Sequence, residues 1–212
     1  MYGSRFDLAR RLAFCLVLFA PSLVLAAPVC TGINAKASTS FGDPNYWTNH
    51  TCKSEIRNGF PMPDPNCTPG AVDPSVTMRL LKSAGFRTSC VRDRATTAKA
   101  KAATYDAYNI AHPVNNTGRN QVCELDHLVS LELGGADTID NIWPQCGPSG
   151  VTLGDRYFKQ KDSVENYLAA AVRAGVISLK DAQEKIAKDW TQFLGPADTW
   201  SQQHQNRRGG GD

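Results

Sequence analysis

The chain has 212 residues, with 23 Lys and Arg against 20 Asp and Glu and a formal charge of +3. That balance excludes binding to polyanions through the overall field, so any nucleic-acid contact has to come from a local patch. The length fits one domain with room for a sizeable core.

Residues 1–26 read as a secretory signal peptide. Arg5, Arg10 and Arg11 lead, an apolar run from Leu12 to Ala26 follows with Pro21 inside it, and Val24-Leu25-Ala26 offers cleavage positions. The run is shorter than the ~20 residues of a spanning helix, and no later segment is apolar enough to span. No membrane contact is therefore expected after cleavage. Cleavage removes three Arg and one Asp, leaving 20 positive against 19 negative residues, or +1. Of the seven cysteines, Cys15 leaves with the peptide, and Cys30, Cys52, Cys67, Cys90, Cys123 and Cys146 remain. An even set in an exported chain predicts three disulfides and a secreted or periplasmic location. No Cys-x-x-Cys pair supports a zinc cluster. The simplest connectivity pairs nearest neighbours along the chain.

Residues 27–200 are expected to form a single domain. Its first part, 27–72, is rich in Pro, Gly, Asn and Asp, and Pro61, Pro63, Pro65 and Pro69 predict an irregular, disulfide-stapled extension. Asn49-His50-Thr51 and Asn115-Asn116-Thr117 fit the glycosylation triplet. Asp73-Pro74 predicts a helix start, with Gly85 at the far end and Val76, Leu80 and Leu81 inside. A second helix is predicted from Thr97 to Asn109, with Ala102, Tyr105 and Tyr108 inward. Around it, Arg87, Arg92, Arg94, Lys99 and Lys101 form either a solvated face or phosphate contacts. Two strands follow, Gln121–Ser130 and Ile139–Trp143, separated at Gly134-Gly135. Strict alternation puts Leu125, His127 and Val129 on one face and Asp126 and Leu128 on the other. The last third reads as a helical hairpin over about 160–194. Val164, Tyr167, Leu168, Ala171 and Val172 have helical spacing, Gly175 ends the run, and Ser178 caps the next helix. Its inner stripe is Leu179, Ala182, Ile186, Trp190 and Phe193. Residues 201–212 turn polar and glycine-rich and are expected to be a disordered tail.

One stretch carries chemistry. Asp126-His127 lies on an apolar run from Cys123, a Leu131-Glu132-Leu133-Gly134-Gly135 turn follows, and Asn141-Ile142-Trp143-Pro144 opens the next run. In order and spacing this resembles the HNH (ββα-metal) nucleases over about 119–173. The resemblance implies an α+β fold with a ββα-metal core, flanking helices and the stapled amino-terminal extension. It also implies hydrolysis of phosphodiester bonds in DNA or RNA.

Such hydrolysis needs a base for water, a cation for charge on the phosphate, and fixed register. The resemblance makes His127 the base, Asp126 a metal ligand, and Asn141 the residue that orients the loop or the His. The cofactor implied is a divalent metal, Mg²⁺ first, with Mn²⁺ or Zn²⁺ as alternatives. The family's helix ligand, a His or Asn, has no His counterpart here. Asp162 and Asn166 share one helix face and are the candidates, with Glu165 beside them and Glu132 on the hairpin. Arg156, Lys159 and Lys161 are expected to meet substrate phosphates. Two other readings stay open: a catalytically degenerate ββα scaffold that binds nucleic acid or a surface, and a small interaction protein whose Asp-His pair is structural. No feature indicates an oligomeric state. If the two strands pair antiparallel, Cys123 and Cys146 meet at the open end of the hairpin.

Overall fold

A computed structural model describes residues 52–92 and 98–209. The signal segment, Cys30 and the Asn49-His50-Thr51 triplet lie outside the described residues, as do Arg94 and the side chain of Lys99. The fold mixes helices with two small sheets, and two disulfides join described cysteines.

The proline-rich extension is more regular than its composition predicts. Strands β1 (Glu55–Arg57) and β2 (Phe60–Met62) pair antiparallel, with Ile56 opposite Pro61. The turn between them is Asn58-Gly59, with φ of 52° and 82°. Those left-handed values are what a two-residue hairpin turn requires, and Asn-Gly adopts them most readily. Pro61 is tolerated because a two-stranded sheet has only edges. Phe60 packs edge-on against Trp190 (5.2 Å) and Tyr157 (5.4 Å), which seats the hairpin on the carboxy-terminal helices.

Helix α1 covers only Met78–Leu81 and is capped by Thr77, not by Asp73. Asp73 Oδ1 accepts from the backbone N–H and the hydroxyl of Ser75 instead. That local two-residue turn competes with helix initiation, so the predicted start at Asp73 is corrected to Thr77. Helix α2 (Ala98–Ala107) matches the expected one closely, and Tyr105 and Tyr108 are buried.

Strands β3 (Cys123–His127) and β4 (Ile142–Cys146) form an antiparallel hairpin with Asp126 opposite Trp143 and Cys123 opposite Cys146. β3 falls short of the predicted Gln121–Ser130 at both ends, and β4 starts and ends three residues later than the predicted Ile139–Trp143, because the connection is structured. Ser130 caps a short 3-10 turn, Leu131–Leu133, which Gly134 closes at φ 74°. Gly135 then passes so near the strand that a Cβ there would lie 1.8 Å from the Val129 carbonyl oxygen. Only glycine fits that crossing.

Helix α3 (Tyr157–Ala174) ends in a left-handed Gly175, and α4 (Leu179–Asp189) starts at a Ser178 cap, both as predicted. Ala182, Ile186 and Trp190 are fully buried. Residues 210–212 lie outside the described residues, and residues 201–209, expected to belong to a disordered tail, lie in helix α5 (Leu194–Gly209). Pro196 in its first turn suits a helix start, Ala197 is buried, and Trp200 reaches the ring of Tyr167 on α3. Among the described residues no helix is long and apolar enough to cross a membrane.

The disulfides are Cys123–Cys146 and Cys52–Cys67, and Cys90 is disulfide-bonded as well. The first is the bridge the hairpin implies. The second corrects nearest-neighbour pairing, since Cys52 takes Cys67 in place of Cys30. Disulfides of this kind fit an oxidising compartment. Replacing Cys123 and Cys146 together by Ser opens a loop of 23 residues and should cost about 3 kcal/mol on the chain-entropy estimate. Urea unfolding checks this, and an unmoved midpoint at unchanged slope would contradict it.

Candidate functional site

The site forms where β3 ends, the connection crosses it and α3 passes beneath. Asp126 and His127 both line one open cavity of about 170 Å³, together with Glu124, Glu132, Asp162 and Glu165. Residues from strand, connection and helix thus meet, although alternation alone separates the two members of the Asp-His pair.

Asn141 is fully buried and holds the connection in place. Its Oδ1 accepts from the Val129 N–H at 2.8 Å, and its amide donates to the carbonyls of Val129 (2.9 Å) and Ala136 (2.8 Å). It orients the loop, and these bonds do not involve the His127 ring. Two residues on, the indole of Trp143 donates to Asp126 Oδ2 at 3.2 Å.

His127 is tied to Asp137, a residue the sequence reading passed over. The His127 Nε2 to Asp137 Oδ1 distance is 2.8 Å, and Lys101 Nζ reaches the same oxygen at 2.5 Å. Burial acts to raise the Asp137 carboxyl, but the hydrogen bonds from His127 and Lys101 outweigh it and hold the pKa below the usual carboxylate range. Burial also lowers the His127 pKa, against the pull of Asp137. An ionised carboxylate only accepts, so Nε2 carries the proton of the neutral imidazole and Nδ1 keeps the lone pair. A signal for Asp137 existed: it is an acid in the same turn as Gly134-Gly135, ten residues past the His.

Asp137→Asn keeps the shape of this contact and removes its charge. A carboxyl with a depressed folded-state pKa stabilises above its unfolded value near 4 and loses that contribution as pH falls through the folded value. The substitution should therefore cost about 3 kcal/mol at neutral pH, as for a broken buried pair. The gap to the wild type should narrow steadily below pH ~4. A gap independent of pH in urea titrations would contradict it.

The helix side of the site differs from the expectation. Lys161 has no exposed surface, and its ammonium bonds Asp126 Oδ2 at 2.9 Å, Glu165 Oε1 at 2.5 Å and the His127 carbonyl at 2.7 Å. It lies on the buried stripe of α3 with Phe158, Val164 and Leu168. A phosphate cannot reach it, so its expected substrate contact is corrected. Arg156 is also buried and donates to the Pro148 carbonyl, which removes it from the substrate face too. Lys159 keeps 34% of its side-chain surface and pairs with Asp162 at 2.7 Å. Arg92 is exposed and lines the cavity, whereas Arg87 turns its guanidinium onto the carbonyls of Ala84 and Phe86.

Of the two proposed helix ligands, Asp162 lines the cavity and Asn166 does not. Asn166 is exposed and donates to the Asp162 carbonyl within the helix. Glu165 takes the inward position, because one residue turns a helix by about 100°. Burial raises the carboxyls of Glu124, Asp126 and Glu165. Lys161 opposes the rise at Asp126 and Glu165, while Asp162 adds to the repulsion at all three.

Crowded carboxylates around one cavity are a donor set for a hard divalent cation. Among the described residues, no three side chains of metal-binding type converge on one point as they stand. The donor chemistry fits a divalent metal.

No protein-family model, curated protein or solved structure matches this chain.

Proposed function

We propose that the chain is an exported, metal-dependent endonuclease of the HNH (ββα-metal) type that hydrolyses phosphodiester bonds in DNA or RNA. The observation that carries this reading is the His127 imidazole, hydrogen-bonded to Asp137 and set with Asp126 in a carboxylate-lined cavity. His127 accepts the proton of the attacking water at Nδ1, while Nε2–H stays on Asp137. Asp137 then faces the imidazolium with a negative charge and stabilises it. Asp126, through the oxygen that Lys161 and Trp143 leave, and Asp162 would hold the metal, with Mg²⁺ first and Mn²⁺ or Zn²⁺ as alternatives. When bound, such a cation neutralises charge on the phosphate and the leaving oxygen. Asn141 keeps the connection, and with it Asp137, in register with β3. Arg92 at the rim supplies a local positive contact for the backbone of the nucleic acid. The disulfides and the amino-terminal leader support a secreted or periplasmic location.

Supercoiled plasmid and a structured RNA, each incubated with purified protein and Mg²⁺, should be cleaved, and chelator should stop cleavage. One observation favours a second reading: the Lys161 ammonium already occupies one oxygen of Asp126. A degenerate scaffold that binds nucleic acid or a surface would show retention without cleavage under any metal.

A further inference from the structure

An ammonium has three donors and no acceptor. Lys161 has all three engaged, by two carboxylates and a backbone carbonyl, with no surface left to water. Two carboxylate oxygens and a carbonyl oxygen are also what a hard metal ion collects. Apolar packing gives no reason for a lysine here, since its stripe neighbours are Phe158, Val164 and Leu168. Burying an ammonium is strongly unfavourable unless its partners are complete, and here they come from β3 and α3 at once. Removing the cation would leave Asp126 and Glu165 close together with like charge and little exposure to solvent.

We propose that Lys161 is a tethered cation filling the inner half of the carboxylate site, so that the Asp126–Glu165 pair accepts no exchangeable ion. Asp126 bridges the two halves: one oxygen serves Lys161 and the other faces the cavity. A divalent ion, where the function proposed above holds, is then confined to the outer half near Asp162 and Glu124. The inner assignment rests on the contacts of Lys161 itself, and the outer ion rests on the nuclease reading.

Counting bound Mn²⁺ by calorimetry and electron paramagnetic resonance on the whole mature chain tests this. Lys161→Met should bind one Mn²⁺ more than the wild type, with a Kd of about 10⁻⁴ M. Lys161→Met combined with Glu165→Gln should return to the wild-type count, because one inner charge is gone. Equal counts and affinities in wild type and Lys161→Met would overturn the proposal. If Lys161→Met is unfolded in chelator, added Mn²⁺ should restore its circular dichroism, and no recovery at millimolar Mn²⁺ overturns it equally. A wild type that binds no Mn²⁺ sinks the metal part of the nuclease reading alone, since the quantity read here is the gain in the variant.

Discussion

His127→Ala should lower phosphodiester cleavage by about 100-fold or more, the scale of a lost general base. The reasons lie in its surroundings. Burial holds the imidazole neutral, the contact with Asp137 fixes its tautomer, and the side chain opens onto the cavity that Asp126 also lines. The alanine removes the base and leaves the bonds that Asn141 makes, so circular dichroism should stay near the wild type while the urea midpoint falls with the lost contact to Asp137. Initial rates of plasmid nicking at saturating Mg²⁺ are the measurement. A rate equal to the wild type in a folded variant would take the base away from His127.

Asn141→Ala should unfold the site from the opposite direction. Three buried backbone groups lose their partner: the Val129 N–H, the Val129 carbonyl and the Ala136 carbonyl. At about 1–3 kcal/mol for each group left unsatisfied, the loss is on the order of 4 kcal/mol, a large share of a typical domain's stability. Water entering the gap would recover part of it. Activity should fall further than stability alone explains, because Asp137 rides on the released connection. Equilibrium unfolding gives the stability loss, initial cleavage rates give the activity, and hydrogen exchange at the Val129 amide reports the state of the loop. A protected Val129 amide in the variant would show that the loop does not depend on Asn141.

Much of this fold is legible in single residues whose physics is local. Gly175 and Ser178 mark the end of one helix and the start of the next because a left-handed cap and a hydroxyl cap depend on few neighbours. Cys123 and Cys146 flank the two strands symmetrically, so antiparallel pairing is enough to bring them together. Where a local rule had a local competitor, the sequence misled. Asp73 turns to Ser75 before it can cap a helix, and Asn58-Gly59 makes a hairpin inside a stretch whose prolines argue against strands.

The site was legible only along the chain. Asp126, His127 and Asn141 stand close in sequence and keep their spacing in space. Asp137 and Lys161 acquire their roles from distance contacts that no spacing encodes. A lysine on an apolar stripe was the available sign for Lys161, and it reads as an anomaly until Asp126 and Glu165 are seen around it. Asn166 failed for a related reason. Residue type favoured it, but a rotation of one position on α3 gives the inward place to Glu165.

The covalent ties of the hairpin also make this fold conditional on where the chain is. Under a glutathione pool that keeps thiols reduced, Cys123 and Cys146 are two small side chains at a fraying strand end, and the loop closed by Cys52 and Cys67 is open. Each missing tie takes about 3 kcal/mol from a margin of about 5–15 kcal/mol. The same polypeptide is then less stable in a reducing compartment than in an oxidising one. If the proposed nuclease reading holds, the groups around Asp126 and His127 would be held in register only in an oxidising compartment, apart from nucleic acids in a reducing one.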